Sequence, residues 1–170
     1  MSALLQIDQL TGGYGDTNVV FDVHAQIVSG QVLGVFGRNG VGKTTLARLL
    51  QGALPPAQGR ITFDGAEITP LAAHQRRAKG IGYMPQTEMV FNDLTVWENL
   101  TIGETAHAVD PYFERFPRLA DRRDQLAGTM SGGERKILAF VRTMIEDTRL
   151  LILDEPSEGV QPENIALMSD

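Results

Sequence analysis

Cysteine is absent from the 170 residues, which excludes disulfides, thiolate chemistry and cysteine-ligated metals together. Basic residues are in the minority: 15 Lys and Arg against 21 Asp and Glu leave a formal net charge of −6. That balance argues against a dominant nucleic-acid surface, because phosphate backbones are held mainly by Lys and Arg that displace counterions. No nucleic-acid partner is expected, and the small basic cluster Arg76, Arg77 and Lys79 reads as a solvated helix face. Long apolar runs are missing too. None approaches the ~20 residues of a bilayer-spanning helix, and the first eight residues lack the basic stretch and apolar core of a signal peptide. Any membrane connection is therefore expected to run through a partner. What remains, 42% hydrophobic and 21% charged residues, is ordinary for a globular chain of one domain.

Glycine is plentiful, with 18 residues, and it is concentrated where chemistry is carried. Gly37-Arg38-Asn39-Gly40-Val41-Gly42-Lys43-Thr44-Thr45 has the spacing of a phosphate-binding loop. The apolar residues 32–36 before it are expected to form a strand and residues 46–50 after it a helix. Glycines let successive backbone N–H groups converge on phosphate oxygens, and the positive end of the helix adds to them. Lys43 is placed to reach the β- and γ-phosphates and Thr44 to offer a hydroxyl to Mg2+. The motif implies a nucleoside triphosphate.

Around this loop, residues 4–10 read as a strand broken by Thr11-Gly12-Gly13-Tyr14-Gly15, and residues 19–28 as a second strand. Residues 59–64 read as a third, closed by the Asp64-Gly65 turn. These are expected to form an antiparallel sheet. Residues 70–79 read as a helix and 81–84 as a short strand, with Gln86 just beyond. Thr95-Val96-Trp97-Glu98 has capping-box spacing and opens a mostly helical, loop-interrupted insertion reaching Ala127. Ser131-Gly132-Gly133-Glu134 opens a strong helix with Ile137, Leu138, Val141, Met144 and Ile145 on one face. Residues 150–153 are four apolar residues in a row, the pattern of a parallel strand buried on both faces.

Asp154 and Glu155 follow at the carboxyl end of that strand, where open α/β sheets bind ligands. With a phosphate loop upstream, Asp154 suits a Mg2+-holding role through water, and Glu155 suits orienting or deprotonating the attacking water. The plainer alternative is that these acids only begin a turn before Pro156. Ser131 and Glu134 likewise have a plain reading as a capping box. Two consecutive glycines are not needed for capping, so Gly132 and Gly133 are also read as a second anion site facing nucleotide bound elsewhere, such as on another chain.

In this order the motifs resemble those of the nucleotide-binding subunits of ATP-binding cassette (ABC) transporters. Residues 37–45 resemble Walker A, residues 150–155 Walker B, Met130 to Glu134 the signature and Gln86 the Q-loop glutamine. Tyr14 resembles the aromatic that stacks on adenine; core packing is its alternative role. The resemblance implies a P-loop α/β fold with an N-terminal antiparallel β subdomain and a helical insertion subdomain at about 87–146, in a single domain over residues 1–170. It implies ATP and Mg2+ as cofactors. Gly37, Arg38, Asn39, Gly40, Val41, Gly42, Lys43, Thr44 and Thr45 would contact nucleotide, together with Tyr14, Ser131, Gly132, Gly133 and Glu134. Thr44, Gln86 and Asp154 would attend the metal, and Glu155 and Gln86 the catalysis. The implied partners are a second ATPase subunit bound head to tail, transmembrane permease subunits and, indirectly, a solute-binding protein. The implied place is the cytoplasmic face of the cell membrane.

Residues 94–100 and 154–162 resemble in particular the branched-chain amino acid importers and their urea and short-amide relatives. Met130 and Glu134 depart mildly from the commonest signature, and Gln161 stands where most of the family has Asp. The family continues past the point matching Asp170, with a further strand and a switch-loop residue. His24, His74 and His107 all precede Asp154 and none matches that switch, so the chain is expected to lack the C-terminal strands. The rival readings are a soluble ABC protein of DNA repair or translation, a nucleotide-binding fragment without turnover, and a small-molecule P-loop kinase. The last would have no need of residues 131–134.

Overall fold

The computed structural model describes residues 2–87, 90–102 and 108–169. His107, and the parts of the expected helical insertion at 88–89 and 103–107, lie outside the described residues. Two compact units divide the chain: Met1–Gly82 with Arg149–Asp154, and Tyr83–Thr148 with Glu155–Asp170.

The first unit opens with β1 (Leu5–Tyr14) and β2 (Thr17–Ile27), a hairpin turning at Gly15, whose φ is 54°. Together with β3 (Gln58–Phe63) and β4 (Ala66–Glu67) they make a four-stranded antiparallel sheet in the order β2-β1-β3-β4. Asp64 and Gly65 both take positive φ, 50° and 76°, the pair of left-handed residues that a tight hairpin turn needs. The expected break after Leu10 does not occur. Register shifts between Ile7 and Gly13 absorb the glycines as irregularities, and β1 bends rather than ends. Gly12 is needed for another reason: a Cβ there would come within 2.8 Å of Leu49 Cδ2.

That leucine belongs to α1 (Lys43–Gln51), which packs against β1 and β2. Leu5, Ile7, Leu10, Val20, Leu49, Ile61, Phe63, Ile68 and Ile81 form the core of the unit, each large apolar side chain contributing about 1.5–3 kcal/mol on full burial. The helix α2 (Ala73–Ala78) is shorter than expected, and its basic cluster is not simply a solvated face. Arg76 is 1% exposed. Its guanidinium donates to the carbonyls of Leu49, Leu50, Thr69 and Leu71 at 2.8–2.9 Å. Two of those carbonyls end α1, so Arg76 adds donors to a C-terminus that Gly52, at φ 90°, already caps through its amide bond to the Arg48 carbonyl. Burial pulls its pKa below the ordinary arginine value.

The expected strand at residues 32–36 is absent: these residues are in no strand, and Val32 and Phe36 are 98% and 94% exposed. A central parallel strand exists only if neighbours take up its backbone groups. Among the described residues no strand is paired to it. The same cause leaves β6 (Leu150–Leu153) half-buried rather than buried on both faces. Its partner is β5 (Ile81–Met84), and just before it the carbonyl of Gly80 accepts from the amides of Arg149 and Leu150.

The second unit is helical: α3 (Val96–Thr101), α4 (Asp110–Arg115), α5 (Pro117–Ala120), α6 (Gly132–Ile145) and α7 (Pro162–Ser169). It buries Val96, Leu100, Phe116, Leu119, Leu138 and Val141, among others. Thr95 caps α3 as expected, its hydroxyl accepting from the Glu98 amide. Asn99, fully buried, replaces missing backbone partners by bonding to both N–H and C=O of Phe91 and to the carbonyl of Thr95. On α6 the expected Ile137, Leu138, Val141 and Ile145 are buried, and the buried face is wider than expected, taking in Ala139 and Phe140 as well. Met144 is exposed, whereas Lys136 and Thr143 are buried. Among the described residues no helix is long and apolar enough to cross a membrane.

Candidate nucleotide site

In the first unit the loop reaches α1 through Gly40 and Gly42, with φ of 83° and 105°, conformations that strain any residue with a β-carbon. Gly42 is the N-cap of α1. No side chain caps this end and no acid stands in the first turn, so its leading N–H groups and positive dipole are left for an anion. Lys43 Nζ folds back onto the carbonyls of Gly37 (3.0 Å) and Arg38 (3.2 Å), keeping its charge inside the loop. Thr45 is buried and Thr44 half-buried, so Thr44 is the hydroxyl that remains approachable. Arg38, Asn39 and Val41 are exposed. Tyr14 is exposed and not in the core; its hydroxyl accepts from Arg48 Nη1 at 3.1 Å.

Asp154, at the end of β6, is 5% exposed, and its Oδ2 has no hydrogen-bond partner among the described residues. A buried carboxylate oxygen without a donor is costly. A hydrated cation is the group that such an oxygen accommodates, so this donor fits Mg2+.

In the second unit, Gln86 and Glu155 meet. Gln86 Nε2 donates to Glu155 Oε2 at 2.9 Å and to Glu158 Oε2 at 3.1 Å. Glu155 sits at φ 50°, a strained conformation for glutamate that is held only where its surroundings fix it. The backbone carbonyl of Gln86 accepts from Lys136 Nζ at 2.7 Å.

At the start of α6 the capping box is present. Ser131 donates through N and Oγ to Glu134 Oε2, both at 2.9 Å, and Glu134 Oε1 pairs with Arg122 at 2.9 Å. Burial opposes charge on Glu134, but the two bonds from Ser131 and the charges of Arg122 and Arg118 outweigh it and hold its pKa below the ordinary value. Gly133 has a packing reason of its own: a Cβ there would lie 3.1 Å from the Gly159 carbonyl. Ser131 and Gly132 are exposed.

Sequence reasoning missed Arg48, Arg76, Lys136 and Glu158. Lys136 had a signal, standing one turn before the buried Phe140 on a strongly amphipathic helix. Arg76 had none, because its partners are backbone carbonyls distant in sequence.

A glycine-gated helix N-terminus with its lysine, and an acid at the end of a strand, define a P-loop nucleotide-binding protein. Residues 20–158 match the ABC transporter family, and the chain belongs to it. It is 36% identical to a probable branched-chain amino acid transport ATP-binding protein LivF of Archaeoglobus fulgidus, over 98% of this chain and 74% of the relative. It is 38% identical to a high-affinity branched-chain amino acid transport ATP-binding protein BraG of Pseudomonas aeruginosa, over 94% and 71%. A lipopolysaccharide export system ATP-binding protein LptB of Haemophilus influenzae is 34% identical, over 96% and 72%. Among solved structures, an ATP binding subunit of an ABC transporter superposes with a TM-score of 0.84 at 26% identity, covering 97% of this chain and 71% of that one.

Proposed function

We propose that the chain binds and hydrolyses ATP with Mg2+ as the nucleotide-binding subunit of an ABC importer for branched-chain amino acids, urea or short amides. The observation that carries the nucleotide reading is the N-terminus of α1, uncapped, free of acids and turned by Gly40 and Gly42. Residues 37–45 would wrap the phosphates, with Lys43 moving its charge from the loop carbonyls to phosphate oxygens. Tyr14, presented by Arg48, would stack on adenine. Thr44, Gln86 and Asp154 would hold Mg2+, which when bound neutralises phosphate charge. Glu155 would act as general base toward water while Gln86 holds its carboxylate, and residues 131–134 would face the nucleotide of a second subunit. Helical residues at about 87–146 would form the subdomain that meets the permease, at the cytoplasmic membrane face, with a solute-binding protein delivering cargo.

Residues 94–100 and 154–162 and the two amino acid transport relatives support import; the LptB relative supports export. Uptake of labelled leucine or urea by cells carrying the chain with its permease subunits tests the choice. Uptake that depends on Lys43 supports the importer. Uptake indifferent to the chain, with an export defect on its deletion, supports the other reading.

A further inference from the structure

The helix α6 does more than present residues 131–134. Lys136, one turn into it, is 4% exposed, although an ammonium is among the costliest groups to bury without partners. Its Nζ lies 2.7 Å from the carbonyl oxygen of Gln86. That residue follows the end of β5 and lies in neither helix nor strand, so its position is not set by a backbone ladder of its own. The other end of Gln86 grips two carboxylates, Glu155 and Glu158. Ionised carboxylates only accept, so both contacts require the NH2 side of the amide, and Oε1 is turned away from them. The bonds therefore run from α6 through Lys136 to the backbone of Gln86, and through its amide to Glu155.

We propose that Lys136 is a positioning residue for hydrolysis, holding Gln86 so that its amide sets the carboxylate of Glu155, with Glu158 fixing the amide's rotation. This rests on the reading of Glu155 as the general base. The bland alternative is a lysine whose stem fills the helix face and whose head group bonds wherever it can.

The test uses the whole chain with Lys136→Met, which keeps an unbranched apolar stem and removes the donor, and Lys136→Arg, which keeps a donor. Lys136→Met is expected to lower kcat by about 10²-fold, the scale of an ångström-sized misplacement of a reacting group. Any rise in the KM for ATP should be much smaller than the fall in kcat, because the phosphate loop, Thr44 and Asp154 are untouched and only Gln86 of the Mg2+-holding residues is displaced. Lys136→Arg should recover most of the lost turnover. Added to Glu155→Gln, Lys136→Met should cost nothing more, since it acts through the group already removed. Independently of turnover, amide hydrogen exchange should speed up in Lys136→Met at residues 84–87 and 155–158 while α6 stays protected. An unchanged kcat, a raised KM with kcat intact, or a full additive loss with exchange rising along all of α6 would overturn the proposal. Parental turnover in Glu155→Gln alone would overturn the general-base reading instead, and the exchange measurement would still decide whether Lys136 holds Gln86.

Discussion

At the scale of single residues, most of the site rests on groups that are costly to leave as they are. Lys43 gathers its charge into a loop whose own carbonyls it must release to meet phosphate. Lys43→Ala is therefore expected to abolish binding of labelled ATP in equilibrium dialysis, and Tyr14→Ala to weaken it by ~1–3 kcal/mol, the worth of stacking on a base. Unchanged affinity in Lys43→Ala would remove the basis of the nucleotide reading. Glu155→Gln should keep ATP binding and reduce phosphate release by ~10²- to 10⁴-fold, the contribution of a general base. Asp154→Asn should instead raise the Mg2+ concentration needed for binding, because the oxygen without a protein partner is the one lost as a charge. Arg76 belongs to stability and not to chemistry. Arg76→Met leaves several buried carbonyls without donors, at ~1–3 kcal/mol each. A fall in the urea midpoint equivalent to less than ~1 kcal/mol would show that water replaces it.

At the scale of elements, what was legible in the sequence was whatever is decided locally. Both capping boxes, Thr95 with Glu98 and Ser131 with Glu134, follow from spacing, and both form. The Asp64-Gly65 turn is equally local. What failed was long-range. The strand at residues 32–36 has the right residues, but a parallel strand is made by its neighbours, and the burial of Lys136 on α6 depends on a loop carbonyl, that of Gln86, far away in the sequence. The candidate site divides the same way: the loop residues, Gln86, Asp154 and Glu155 are proposed from motifs in the sequence, whereas the contacts of Lys136 and Glu158 with Gln86 join residues far apart along the chain. The caps give a pH prediction. Glu98, through the backbone and hydroxyl bonds from Thr95, and Glu134, for the reasons above, both titrate below the ordinary carboxylate value. A carboxyl whose folded pKa is lowered stabilises the fold fully above its unfolded pKa, and loses that contribution as pH falls through the folded value. Urea midpoints from about pH 6 down to about pH 3, the range in which carboxylates titrate, should fall more steeply for the parent than for Glu134→Gln. Parallel curves would mean that the charge of Glu134 contributes nothing to stability.

At the scale of the whole molecule, the residues proposed for the chemistry fall into two groups: residues 37–45 and Asp154 belong to one unit, and Gln86, Glu155 and residues 131–134 to the other. The apolar residues Val32, Leu33, Val35 and Phe36, exposed and outside any strand, have a colloidal consequence. An exposed apolar patch adheres to its like, and here the opposing force is the mutual repulsion of molecules with net charge −6. Such repulsion reaches only about a Debye length, ~30 Å at 0.01 M ionic strength but ~8 Å at 0.15 M. Light scattering by a dilute solution should therefore rise as salt is added, and Phe36→Ser should flatten the rise. On this expectation ionic strength is a dial between repulsion and adhesion, with residues 32–36 as the adhesive.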